Sequence, residues 1–440
     1  MGFLRSSSNA DWAHSRHDAI QRWKNRQNDV ADDVNYAEVA SVNLHARGSL
    51  ALLKVLVYSL LFSPRCVHSS AGEPRAIVLY SLRHKKRPSF DYMVEHVWKL
   101  ASEVAPCSFI EVTESFSLTQ MLRTLRFIRF GLRAASTFEV DPVSRACAAL
   151  LVAKFRSHET RIATELRSST QCLITFCDAM PWDQLAVQLA RIAGVTTVTL
   201  QHGQYRILGP TNMSADVEAY ANFSSDVMLA WGPATIIELT RAGIAEERFV
   251  PVGWIRPPEP RPADPRESSD SAEIRFGVML NGPNGSESNA ALLAIANEVA
   301  SRLRIPFLVR LHPNDSEEKY RRGPHCVGIG HFTLSEYLES VHFSLAHMTG
   351  ATVECLAAGS PVYILENDEL AEVFRVPGLT LRDVGEFEAR IRSDLEGPES
   401  SRESAINLGQ HFNSDYRQDE RIVNTLSELI WRSETYGEHA

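Results

Sequence analysis

Two histidines stand where short, β-rich apolar runs stop. Thr196-Thr197-Val198-Thr199-Leu200 leads through Gln201 into His202-Gly203, and Phe307-Leu308-Val309-Arg310-Leu311 leads into His312-Pro313. In open α/β sheets, ligands bind in the crevice beyond the carboxyl ends of the strands. Two such ends in two halves of one chain predict a cleft between two α/β domains, with a histidine on each lip. Glycine after His202 permits close approach of a substrate, and an imidazole suits removal of a hydroxyl proton near neutral pH. Proline after His312 biases that residue to extended backbone and holds it at the strand end. There its ring can stabilise negative charge on a departing phosphate. The chemistry this suits is group transfer from a phosphate-bearing donor.

Three further strand-end segments carry candidate residues. Asn281-Gly282-Pro283-Asn284-Gly285-Ser286 follows the run Ile274 to Leu280, a turn composition that points the next helix's amino end at the crevice. Thr349-Gly350-Ala351-Thr352 opens another helix, so its hydroxyls and unpaired amides form an anion site. Glu354 in that first turn either accepts from ribose hydroxyls or complements the helix dipole. Asp178, ending the buried run Cys172 to Phe176, is the alternative to His202 as general base, or else shapes its loop around an N-capping Asp183. No paired acidic motif ends a strand in the second half, which predicts metal-independent chemistry and no cofactor.

The His312-Pro313 strand end, the Thr349–Thr352 turn and the spacing of Glu354, Gly359 and Pro361 resemble the donor domain of GT-B glycosyltransferases. The nearest flavour is the bacterial capsule and surface-polysaccharide transferases, which use CMP-activated sugars or CDP-glycerol-type donors and carry HG and HP motifs. The resemblance covers roughly residues 170–370. It implies two facing Rossmann-like domains and a nucleotide-sugar donor, cytidine-linked, with an oligosaccharide or lipid-linked glycan acceptor. It further implies that His312 contacts the donor phosphate and that Thr349 and Thr352 contact the phosphate or nucleotide. The residue reading adds Pro313, Asn281, Gly282, Gly350 and Glu354 to the expected donor site, and His202 or Asp178 as the base in the first half. The chain departs from the family in two respects: it has no clear acidic triplet for the base, and threonines replace the usual serines of the later motif. A UDP-sugar 2-epimerase-like isomerase, or a non-catalytic nucleotide-sugar-binding protein of an assembly complex, would use similar parts.

The elements that must position these residues alternate strand and helix from Arg75 onward, which predicts an α/β fold with mostly parallel, doubly wound sheets. The expected division is an amino-terminal, partly helical extension over 1–70, an acceptor-side Rossmann-like domain over 71–255, and a proline-rich linker over 256–272. A nucleotide-donor domain over 273–400 and a carboxyl-terminal helical segment over 401–440 follow. Helices are expected near 117–134 and 143–168. Arg123, Arg126, Arg129 and Arg133 form one stripe of the first, with apolar residues opposite, and that stripe suits either an anionic glycan or an anionic inner-membrane surface. Leu50 to Phe62 is apolar but short for a membrane span, so it is a core or an interfacial helix. A net charge of −9 argues against nucleic acid as a partner, and seven scattered cysteines without a paired motif suit reduced thiols of a cytoplasmic protein.

Overall fold

The computed structural model describes residues 3–28, 34–45, 49–69, 73–81, 88–166, 169–205, 218, 222–255, 274–282, 286–313, 315–368, 370–414 and 418–437. The linker expected over 256–272 lies outside the described residues, as do Pro283, Asn284 and Gly285. The chain divides into two compact units, Met1–Ala230 with Leu239–Arg256 and Tyr416–Ala440, and Trp231–Glu238 with Pro257–Asp415. The fold is α/β, with a Rossmann-like sheet in each unit.

The first sheet contains β1 (Phe62–Ser69), β2 (Ala76–Tyr80), β3 (Cys107–Phe116), β4 (Cys172–Thr175), β5 (Thr196–Leu200), β6 (Val227–Ala230) and β7 (Phe249–Pro251). Their spatial order is β1-β3-β2-β4-β5-β6-β7. Every neighbouring pair is parallel except β1, which runs antiparallel to β3. Helices α1 (Phe3–Asn28), α2 (Tyr36–Ser41), α3 (Ser49–Leu61), α4 (Pro88–Val104), α5 (Leu118–Arg126), α6 (Ile128–Ala135), α7 (Pro142–Arg156), α8 (Glu159–Glu165) and α9 (Pro181–Ile192) surround it. Alternate side chains of a strand point to opposite faces, so β2 feeds two cores. Ile77 and Leu79 join Ile20 and Trp23 of α1, Val39 of α2 and Leu151 of α7. Val78 and Tyr80 join Met93 and Val97 of α4 and, from the closing helix Gln418–Gly437, Ile422 and Leu426.

The expected helix over 117–134 is two, because the backbone breaks at Phe127 (φ −101°, ψ 7°) between α5 and α6. The arginines therefore lie on two helices, Arg123 and Arg126 on α5 and Arg129 and Arg133 on α6, rather than along one. Over 143–168, α7 stops at Arg156 and α8 restarts at Glu159. Within α3, Val55 is buried while Leu50, Leu53 and Leu56 are exposed, so this run is only partly core. Among the described residues, no helix is long and apolar enough to cross a membrane.

After β6 comes α10 (Pro233–Arg241), and the second unit then follows with β8 (Phe276–Met279), α11 (Ser286–Leu303), β9 (Phe307–Arg310), β10 (Cys326–Gly330) and α12 (Leu334–Leu338). β11 (Phe343–Ala346), α13 (Ala351–Ala357), β12 (Val362–Leu365), β13 (Thr380–Leu381), α14 (Val384–Glu396) and α15 (Pro398–Phe412) complete it. Its strands are all parallel, in the order β10-β9-β8-β11-β12-β13. Counted from β8 this is the 3-2-1-4-5-6 order of dinucleotide-binding sheets, whose switch point lies between the first and fourth strands, here β8 and β11. Gly277 in β8 is required by space: a Cβ there would stand 1.9 Å from the Tyr337 hydroxyl. That hydroxyl donates to Ser344 Oγ on β11 at 3.0 Å.

A buried charge cluster fastens the amino-terminal helices to the first unit. The Glu218 carboxylate accepts from Lys24 Nζ at 2.6 Å and lies 2.6 Å from His17 Nδ1 and 3.4 Å from His45 Nε2. Burial would raise its pKa, but the Lys24 charge and the two histidines hold it well below the carboxylate range. Glu218→Gln leaves the Lys24 ammonium buried without its counter-charge, which should cost about 3–5 kcal/mol. Urea denaturation with an unchanged midpoint would contradict that anchoring role.

Candidate functional site

In the second unit, Asn281, His312, His347 and Asn367 follow the carboxyl ends of β8, β9, β11 and β12. Asn281 follows β8 and is locked onto the first turn of α11. Its amide N–H donates to Asn289 Oδ1 at 2.8 Å, and Asn289 Nδ2 donates to the Asn281 carbonyl at 3.0 Å. Its side chain meets the buried ring of His347, which directly follows β11. Asn281 Nδ2 lies 3.2 Å from His347 Nδ1, and His347 Nε2 lies 2.9 Å from Asn367 Oδ1, just past β12. With both amides so oriented, Nδ1 accepts from Asn281 and Nε2–H donates to Asn367, which fixes a neutral imidazole in one tautomer. Asn281 Oδ1 is buried and has no partner among the described residues.

His312 follows β9 and is half-buried beside Gly282, where a Cβ would stand 3.2 Å from the ring's Nδ1. The turn after it is held by Asp315, whose amide donates to the His312 carbonyl at 2.9 Å. The Asp315 carboxylate accepts from Lys319 Nζ at 2.7 Å and from the Tyr320 hydroxyl at 2.5 Å. Burial works against its charge, yet these hydrogen bonds hold its pKa below the usual value. Burial, with Asp315, pushes the Tyr320 phenol up to about 12. Asn289 Nδ2 also donates to that hydroxyl at 3.1 Å, so the His312 turn and the Asn281 turn share one hydrogen-bonded network.

The residues of the Thr349–Thr352 turn are less uniform. Thr349 is half-buried and its hydroxyl accepts from the Ala351 amide at 3.4 Å, while Gly350 is exposed. Thr352 is wholly buried and its hydroxyl has no partner among the described residues, so it faces protein rather than solvent. Glu354 is half-buried in α13, a helix of only 7 residues. The 18-residue α11 is the longer helix with its amino end on this edge. Gly359, at φ +77°, ends α13 and turns the chain into β12.

In the first unit the switch point lies between β2 and β4. His202, half-buried past β5, packs against Tyr205 and Phe176 with ring centroids 5.6 Å and 5.9 Å away, and its Nε2 lies 3.9 Å from Cys177 Sγ. Asp178 is buried instead, and one oxygen accepts from the Ser224 and Ser225 amides at 2.9 Å and 2.8 Å. Its own amide donates to Thr199 Oγ1 at 3.1 Å, so it ties the end of β4 to β5 and to the approach to β6. Asp183 is also buried, accepting from the Ser81 hydroxyl past β2. Burial holds its pKa well above the carboxylate range.

Arg123, Arg126, Arg129 and Arg133 are all exposed on α5 and α6, which pack with α3 and α7. Among the described residues, His17, His45 and Glu218 are the group that could hold a metal ion. Lys24 already neutralises that carboxylate, and an ammonium at hydrogen-bond distance opposes a dication there. Sequence reasoning missed His347, Asn367 and Asn289. His347 carried a signal, since it ends the apolar run Phe343 to Ala346 as His202 and His312 end theirs.

No protein-family profile matches the chain, and no curated protein does. Solved structures do: MnaA of S. aureus with UDP, at 11% identity over 82% of this chain and 97% of that one, has a TM-score of 0.49. A UDP-GlcNAc 2-epimerase from Neisseria meningitidis bound to UDP-GlcNAc is 12% identical over 82% and 99%, with a TM-score of 0.41. The glycosyltransferase SnogD from Streptomyces nogalater is 15% identical over 81% and 100%, with a TM-score of 0.44. Likeness at this level does not extend to the reaction.

Asp178 makes a pH prediction. Burial pushes its carboxyl up to about 6, against the pull of the Ser225 and Ser224 amides. An unfolded aspartate titrates near 3.9, so from about pH 4 to 6 the folded state holds a proton that the unfolded chain has released. This contribution to stability is complete below pH ~4 and lost as pH rises through ~6, a change of about 3 kcal/mol. Asp178→Asn keeps an acceptor for both amides and removes the titration. The stability of the variant minus that of wild type should therefore rise by about that amount from pH ~4 to ~7.5. Parallel urea-midpoint curves across that range would contradict it.

Proposed function

We propose that the protein is a GT-B-type glycosyltransferase that takes a sugar or polyol phosphate from a nucleotide-activated donor. The observation that carries this reading is the joined network at the switch point of a 3-2-1-4-5-6 sheet, where Asn281, Gly282, His312 and the amino end of α11 meet. In the proposal the donor's phosphates lie against the Asn281–Gly282 turn, and the His312 ring donates a hydrogen bond to the departing nucleotide. His347 is a positioning residue, acting through Asn281. Thr349 and Gly350 border the site. The cytidine base and the surface-polysaccharide acceptor follow from the sequence resemblance and belong to the proposal.

His202 is the proposed base, favoured over Asp178 because the Asp178 carboxylate is buried and already accepts two backbone amides. The acceptor hydroxyl gives its proton to His202 as its oxygen bonds to the transferred group. The bond from that group to the nucleotide phosphate breaks, and the nucleotide leaves with the electron pair.

The test is incubation of the full chain with CMP-, CDP- and UDP-linked donors, with and without glycan acceptors. Acceptor-dependent nucleotide release is expected. A new sugar nucleotide formed without acceptor would make the protein an isomerase, and thermal stabilisation without turnover would make it a binding protein. His312→Ala should lower kcat by roughly 10²-fold, the loss typical of one charge-stabilising donor. His202→Asn should abolish transfer while leaving nucleotide affinity unchanged. If His202→Asn turns over normally and Asp178→Asn is folded but inactive, the carboxylate is the base.

A further inference from the structure

Helix α5 is built inside out. Its buried residues are Gln120 and Thr124, both 0% exposed, whereas Leu118 and Leu122 are 67% and 68% exposed. The inward side chains form a closed polar set. Gln120 Nε2 donates to Thr124 Oγ1 at 3.0 Å, Thr124 Oγ1 donates to the Ser59 carbonyl at 2.9 Å, and Gln120 Oε1 lies 2.7 Å from His158 Nε2. A surface helix in water turns its apolar stripe to the core, and this one does the reverse. The arginine stripe thus does not stand opposite a buried apolar face, as its spacing predicts, but beside an exposed one.

The same surface continues onto adjoining helices. Packed against α5, α3 leaves Leu53 and Leu56 exposed, and α6 leaves Leu132 exposed. Arg123, Arg126, Arg129 and Arg133 stand exposed among them. No acidic residue occurs between Glu114 and Glu139, nor between Glu38 and Glu73, in a chain whose net charge is −9. Segregated positive charge on an acidic protein, interleaved with exposed leucines, matches an anionic layer with hydrocarbon beneath it. Guanidinium groups reach lipid phosphates while leucines enter the acyl boundary.

We propose that the α3–α5–α6 face docks in the plane of an anionic lipid bilayer. The contact is monotopic, and it stands apart from the reading of the strand-end site. The test is flotation of the full chain with phosphatidylglycerol-containing vesicles, with neutral phosphatidylcholine vesicles as comparison. Wild type should float with the anionic vesicles, less so in high salt, and not with the neutral ones. Arg126→Glu with Arg129→Glu should reduce recovery about tenfold or more, since each basic residue near such a surface contributes to binding. Leu122→Ser with Leu125→Ser, the latter 47% exposed on the same helix, should reduce it at unchanged charge, whereas a purely electrostatic contact would be unaffected.

The variants alter exposed positions, so circular dichroism melts should match wild type. The wild-type arms test the proposal even if a variant fails to fold. Absence of wild-type flotation, or equal recovery with neutral vesicles, overturns it. So does a concentration-dependent dimer abolished by the leucine variant, which gives the face to a second copy. Capture by an anionic polysaccharide with no lipid binding overturns it as well.

Discussion

The buried ring of His347 is the joint on which the second unit's carboxyl edge depends. A buried imidazole must have both nitrogens satisfied, and leaving one unpaired costs about 1–3 kcal/mol. Here one nitrogen is met by Asn281 after β8 and the other by Asn367 after β12, so one ring sets the spacing of three strand ends. Asn281 in turn sets the entry to α11 through Asn289, and Asn289 reaches the His312 turn through Tyr320 and Asp315. The groups that would touch a ligand are held by neighbours that cannot. Such support is what keeps a binding group within the fraction of an ångström that catalysis requires.

The first unit spends its buried polar groups differently. Asp178 follows β4, and Asp183 stands in the first turn of α9, inside the helix rather than at the N-cap its position predicts, since Met180 precedes Pro181 there. Both carboxylates are enclosed and hold neighbouring segments together. Glu218, with Lys24 and two histidines, fastens α1 and residues 42–45 to the same unit. His202 is left half-buried at the edge of this framework, against aromatic rings and a thiol that burial keeps protonated.

Much of the α/β framework was legible from local pattern. The runs at 76–80, 172–176, 196–200, 307–311 and 361–365 are short, apolar and β-branched, and each corresponds to a strand. What was not legible depends on distant partners. His347 matters because of residues 66 and 20 positions away, and its neighbour Met348 lacks the glycine or proline that marked the other two histidines. The spacing of the arginines predicts one helical stripe, but the chain places them on two helices, and the spacing does not show what lies behind them. Ser59 and His158 give Gln120 and Thr124 a buried place, and that reverses the helix. The break at Phe127 has no proline or glycine at that position to announce it.

In the proposed function a nucleotide's phosphates occupy the switch point of the second unit, and a crystal soaked with a nucleoside diphosphate would show where they bind. Density for the phosphates is expected against the Asn281–Gly282 turn and the amino end of α11, within hydrogen-bond distance of His312, with His347 unmoved. A diphosphate bound away from these strand ends, or turned so that His312 contacts only the base, would contradict it.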